Sequence, residues 1–116
     1  MLIVDKKNDT IHLTRGDTAR LTVDLDIEFE DGTKQPYSVQ NDDVLTLSVK
    51  KRKKDFKPCI EKVVKGSADF HIKPEDTADL DFGSYVYDVE IRTAEGDVYT
   101  VIENKTFKIG VEVTKR

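Results

Sequence analysis

"DLDFGSYVYDVEI", residues 79–91, is the stretch on which the fold turns. After Gly83 the side chains alternate. Tyr85, Tyr87, Val89 and Ile91 fall on one side of an extended chain, and Val86, Asp88, Glu90 and then Arg92 on the other. A period of two buries one face of a strand and wets the other, whereas a helix would spread the same apolar residues around its axis. Asp81 and Gly83 mark a tight bend ahead of that strand, where glycine tolerates backbone angles that other residues resist. A tyrosine entering a core straight after such a bend serves two needs: its ring covers the corner, and its hydroxyl reaches a main-chain group a few residues upstream.

The same rhythm continues outward in both directions. Upstream, "ARLTVDLDIEF" (19–29) sets Ala19, Leu21, Val23, Leu25, Ile27 and Phe29 against Arg20, Thr22, Asp24, Asp26 and Glu28, which predicts a strand over the whole stretch. "EDGTK" (30–34) follows as a turn, with Asp31-Gly32 suited to positive φ. "VLTLSVK" (44–50) opposes Leu45, Leu47 and Val49 to Thr46, Ser48 and Lys50, and "ADFHIK" (68–73) places Ala68, Phe70 and Ile72 together. "CIEKVVK" (59–65) is less regular and reads as an edge-like strand paired with residues 67–73 around Gly66. Downstream, "AEGD" (94–97) and "ENK" (103–105) read as turns on either side of "DVYTVIE", and Phe107, Ile109, Val111 and Val113 alternate in a last strand. With "TIHLT" (10–14), this makes seven or eight strands at the spacing of a sandwich or barrel. "KPEDTADLDFG" (73–83), with Pro74 at its start and Gly83 at its end, suits at most one turn of helix.

The bend follows the pattern Asp-x-Gly-x-Tyr-x-Cys: Asp81, Gly83 and Tyr85 match it, and Tyr87 stands at the cysteine's place. It resembles the tyrosine corner of immunoglobulin-like domains. That likeness implies an all-β fold, an immunoglobulin-like β-sandwich of seven to eight antiparallel strands. Residues 1–116 are then one domain, with residues 1–9 an N-terminal extension or an edge strand. A second cysteine and a tryptophan are missing from the sequence, so the resemblance implies a core of aliphatic and aromatic packing in place of a disulfide. A different sandwich topology is the structural rival.

Composition sets the outer limits. A chain of 116 residues fits one core and leaves no room for a second. Hydrophobic residues make up 37% and charged residues 36%, yet the apolar ones are regularly spaced, which predicts a thin core under a charged skin. The net charge of -4 argues against a general affinity for nucleic acid, whose binders carry surplus Lys and Arg. Cys59 is the only cysteine, so an intrachain disulfide and a four-cysteine metal site are excluded. In "MLIVDKKNDT" the apolar run after Met1 is too short for a signal peptide, and no stretch approaches the roughly 20 apolar residues needed to span a bilayer. The expectation is a soluble protein folded in the cytoplasm that made it, with no membrane partner.

From "IHLTRGDTARLTVDL" through "DVLTLSVKK", "CIEKV" and "FHIKPEDTADLDFGSYVYDVEI" to "GDVYTVIENKTFKIGVEVT", the chain resembles small phage and prophage structural proteins of Gram-positive bacteria. It is similar to the Ig-like N-terminal domain of lactococcal phage upper baseplate proteins, over residues 10–114. "LTRGDT", "PEDTADLDFGSYVYDVEI" and "FKIGVEVT" carry the likeness most specifically, and all three are turn and strand signals. The resemblance implies a virion component, tail or baseplate associated, assembled in the bacterial host cytoplasm. Its partners would be other virion proteins or further copies of itself. No enzyme activity and no cofactor are implied. The chain departs from baseplate proteins in ending at residue 116, without their long C-terminal region.

"RGD" (15–17) lies between two strands and reads as a turn rather than an adhesion motif. In "KKRKK" (50–54), Lys51, Arg52, Lys53 and Lys54 form the one concentrated basic patch, a partner-contact loop that could meet phosphates or simply guard a hairpin tip. Asp24, Asp26, Glu28, Glu30, Asp31, Asp79 and Asp81 diverge along strands and turns instead of converging as calcium ligands, so no metal is expected. His12 and His71 stand beside no nucleophile motif, and a hydrolase built on Cys59 lacks a recognisable base and orienting group. Tyr37 and Tyr99 could stack on sugars if exposed. That feature motivates the alternative function, a carbohydrate- or cell-wall-binding module.

Overall fold

A computed structural model of the chain describes residues 2–5 and 10–111, with side chains from Thr10 onward apart from those of Ile27 and Glu28. The described residues form ten strands and one helical turn: β1 (Leu2–Asp5), β2 (Thr10–Thr14), β3 (Ala19–Thr22), β4 (Asp26–Glu28), β5 (Lys34–Pro36), β6 (Val44–Lys50), β7 (Ile60–Lys65), β8 (Asp69–Ile72), α1 (Pro74–Thr77), β9 (Gly83–Arg92) and β10 (Val98–Gly110). The fold is all-β. Six strands make one sheet in the order β1-β2-β10-β9-β6-β7, β3 pairs with β8, and β4 with β5.

Alternation produces the core directly. Leu45, Leu47 and Val49 of β6 stand opposite Ile91, Val89 and Tyr87 of β9, and Tyr85 of β9 stands opposite Phe107 of β10. In the second pair of strands, Ala19 and Leu21 oppose Ile72 and Phe70. All these side chains are buried and belong to one hydrophobic cluster, so the two sheets share a single core. The rings of Tyr87 and Phe107 meet edge to face, 6.3 Å apart between centres, the geometry in which a positive ring edge meets a negative face. At the margin, Lys62 of β7 bridges Asp76 of α1 at 2.7 Å. Burial raises the Asp76 pKa, but the Lys62 ammonium and the Lys73 backbone N–H outweigh it and hold the carboxyl below its usual range.

Several expectations need correction. The strands are not all antiparallel, because β2 runs parallel to β10, with Ile11 to Thr14 alongside Phe107 to Gly110. A period of two specifies which face is buried and says nothing about strand direction. Among the described residues the count is ten rather than seven or eight: β1 is the edge-strand alternative within residues 1–9, β5 is added, residues 19–29 divide into β3 and β4, and the two C-terminal segments join. Val23 and Leu25 keep the alternation between β3 and β4 and stay buried although they leave the ladder. The "ENK" turn is instead a bulged part of β10. There Asn104 takes φ 51 and its N–H donates to Asp88 Oδ1 at 2.6 Å, so the chain bends without reversing. Residues 59–65 do not pair with 67–73; β7 pairs with β6 and β8 with β3. The bend at Gly66, at φ 68 and tied by its N–H to Asp43 O at 2.8 Å, carries the chain from one sheet to the other. The predicted alternation at Val113 lies outside the described residues.

Candidate functional site

Three surfaces collect the chemistry-bearing residues. The first is the bend before β9. Tyr85 is 4% exposed, and its hydroxyl donates to Asp81 O at 2.8 Å, while burial raises the phenol's pKa. Lys51 Nζ lies 4.5 Å from the centre of the Tyr85 ring, so one lysine of the basic run covers the bend. The "RGD" turn also packs on this segment. Arg15 stacks on the Phe82 ring at 4.1 Å, Gly16 N–H donates to Thr77 Oγ1 at 2.9 Å, and Asp17 N–H donates to Thr14 O at 3.1 Å. Thr77 is fully buried. Thr77→Val keeps its shape and removes the acceptor. Chemical denaturation is expected to show a loss of about 1–2 kcal/mol, and an unchanged midpoint would detach the "RGD" turn from the bend.

The second surface is the loop between β6 and β7. Asp55 holds its turn, accepting from Arg52 N–H at 3.0 Å while its own N–H donates to Arg52 O at 3.0 Å. Arg52, Lys53, Lys54 and Lys57 are exposed, and Phe56 is 100% exposed among them. The charge run drew attention to the lysines. Phe56 has no signal in the sequence, because one phenylalanine after a run of charge carries no periodicity. Cys59 ends the loop with its thiol donating to Val49 O at 3.2 Å. Cys59 is exposed, yet partial desolvation of its sulfur pushes the thiol's pKa up, which lowers its thiolate fraction.

The third surface lies at the start of β10. A cleft of about 960 Å³ is lined by Asp24, Leu25, Asp26, Lys34, Tyr37, Ile91, Thr93, Tyr99, Thr100 and Val101. It brings together the two tyrosines singled out in the sequence. Tyr37 is half-buried and its hydroxyl donates to Asp43 Oδ2. That bond, with desolvation, raises its pKa to about 12. Asp43 is itself 2% exposed and also accepts Gln40 N–H at 2.8 Å. Tyr99 is 55% exposed, and Thr93 Oγ1 is buried with no hydrogen-bond partner among the described residues. Asp43 and Thr93 gave no signal in the sequence, since their importance lies in contacts between segments.

The sheet edges differ in kind. Among the described residues β7 pairs with β6 alone, and it carries Glu61, Lys62 and Lys65, charges that discourage further pairing. β10 is covered by β2 only from Phe107 onward, so among the described residues Val98–Thr106 has β9 alone as a strand partner. Val98 to Ile102 contains no charge, and Val98, Tyr99 and Val101 are exposed. Among the described residues no group of three or more His, Cys, Asp and Glu could hold a metal ion. No family of known proteins, no curated protein and no solved structure matches the chain.

Proposed function

We propose that this chain is an immunoglobulin-like sandwich that serves, without catalysis, as a structural interaction module of a phage or prophage particle, associated with the tail or baseplate. The observation that carries the interaction role is the uncharged open edge of β10, Val98 to Ile102, on a sheet whose β7 edge is charged. Unpaired N–H and C=O groups on such an edge accept an extended strand from another subunit, with alternate side chains giving register. The sandwich reading is supported by the shared core of the six-stranded sheet and the β3–β8 pair and by the Tyr85 bond to Asp81 O. The particle assignment rests on the sequence resemblance over residues 10–114.

The test combines location and edge chemistry. Tailed particles purified from producing cells and labelled with antibody to this chain should carry label at the tail or its tip. Val101→Lys, at an exposed position, is expected to change stability by no more than about 0.5 kcal/mol and yet be lost from the particles. Label confined to the particle-free fraction would overturn the assignment, and full incorporation of the lysine variant would remove the β10 edge from it.

A further inference from the structure

We propose that the cleft between the β4–β5 hairpin and the open end of β10 binds a neutral saccharide chain. The inference is independent of any place in a particle, although the cleft shares Tyr99, Thr100 and Val101 with the open edge of β10. Saccharides present two kinds of surface, an apolar C–H face on the pyranose ring and a rim of hydroxyls, and the cleft offers a counterpart to each.

Aromatic rings supply the first. Tyr99 stands opposite Ile91 in the ladder, on the core-facing side of β10, yet 55% of it is exposed because the core stops short there. Tyr37 lines the same cleft with its hydroxyl committed to Asp43, so its ring is held fixed before any ligand arrives. Rigid amphipathic rings of this kind give contact area at low cost in conformational entropy.

Polar groups supply the second. Asp24 and Asp26 are exposed and line the cleft with Lys34. Carboxylates accept from vicinal hydroxyls and an ammonium donates to ring or hydroxyl oxygens. Thr93 Oγ1 is the buried side-chain polar atom left without a partner among the described residues; such an atom calls for an explanation, and a χ1 change between staggered wells redirects the hydroxyl. Two carboxylates against one ammonium disfavour polyanions such as glycerol phosphate polymers. The volume, about 960 Å³, lies at the upper end of the 300–1,000 Å³ usual for small-molecule sites, which favours several linked rings over one.

The experiment is an amide NMR titration of the intact chain with a neutral glucose oligomer, a neutral N-acetylglucosamine oligomer and a glycerol phosphate polymer. At least one neutral probe is expected to give saturable shifts at Thr93, Tyr99, Thr100 and Val101, with a Kd of about 1 mM or below. Tyr99→Phe should bind as the parent does, and Tyr99→Ala should weaken binding at least about tenfold. Both changes fall at an exposed position, and the amide spectrum itself reports whether the variants are folded. No saturable shift with either neutral probe at about 10 mM, ten times that Kd, would overturn the proposal. So would shifts confined to another surface, equal binding by Tyr99→Ala, or cleft binding of the phosphate polymer alone.

Discussion

Tyr85→Ala is expected to lower the melting temperature by roughly 15–30 °C, corresponding to about 3–5 kcal/mol for a buried aromatic truncated in a domain of this size. The ring is 4% exposed, faces Phe107 across the ladder and lies under Lys51. Removing it therefore opens a cavity beside the core and releases the bend at once. Tyr85→Phe separates the two contributions. It keeps the ring and deletes only the bond to Asp81 O, whose loss is worth about 1 kcal/mol because exposed Asp81 can turn its carbonyl to water. Since folded domains retain only about 5–15 kcal/mol, the alanine variant should be close to unfolding at growth temperature while the phenylalanine variant stays near the parent. An alanine variant that melts with the parent would refute any structural role for the bend.

The second large effect concerns Asp43. Asp43→Ala leaves the Tyr37 hydroxyl and the Gln40 N–H without their shared acceptor and is expected to cost about 3 kcal/mol, since bonds to a buried charge are lost and their donors stranded. A pH signature distinguishes this from a simple cavity. Tyr37 has its pKa raised from 10.0 to about 12, first by the bond to Asp43 and then by desolvation. Between those values the folded chain keeps a proton that the unfolded chain has released. Stability from this contact is therefore complete below pH 10 and is lost as pH rises toward 12. Tyrosinate absorbance of the parent should show a late step to which Tyr37 contributes beside buried Tyr85, and in Asp43→Ala the Tyr37 part of that step should shift back toward 10. If the parent and Asp43→Ala titrate alike, the contact does not exist in solution.

How much of this was legible in the sequence follows from the range of each interaction. Period-two patterning identified the buried sides of β6, β8 and β9, because the side-chain period is local and survives any tertiary arrangement. The glycines at 32 and 96 signalled bends, and both take positive φ. Pairing was another matter. Residues 59–65 and 67–73 sit next to each other and looked like a hairpin, yet β7 and β8 pair with strands in different sheets. That choice depends on Phe70 and Ile72 meeting Leu21 and Ala19, a contact invisible to local pattern. Tyr37 and Tyr99 could be named from the sequence, but not that they share a cleft. Asp43 and Thr93 could not be singled out at all, since an isolated Asp or Thr looks alike whether solvated or enclosed.

The parallel alignment of β2 with β10 has a temporal meaning. Ile11 and Leu13 emerge from the ribosome long before the stretch that flanks them, Phe107 to Gly110. Closing so long a span slows folding. Until then those two aliphatics have no finished place to go, so a nascent chain of this sequence must remain uncommitted, and in need of shielding, until Phe107 to Gly110 have been made.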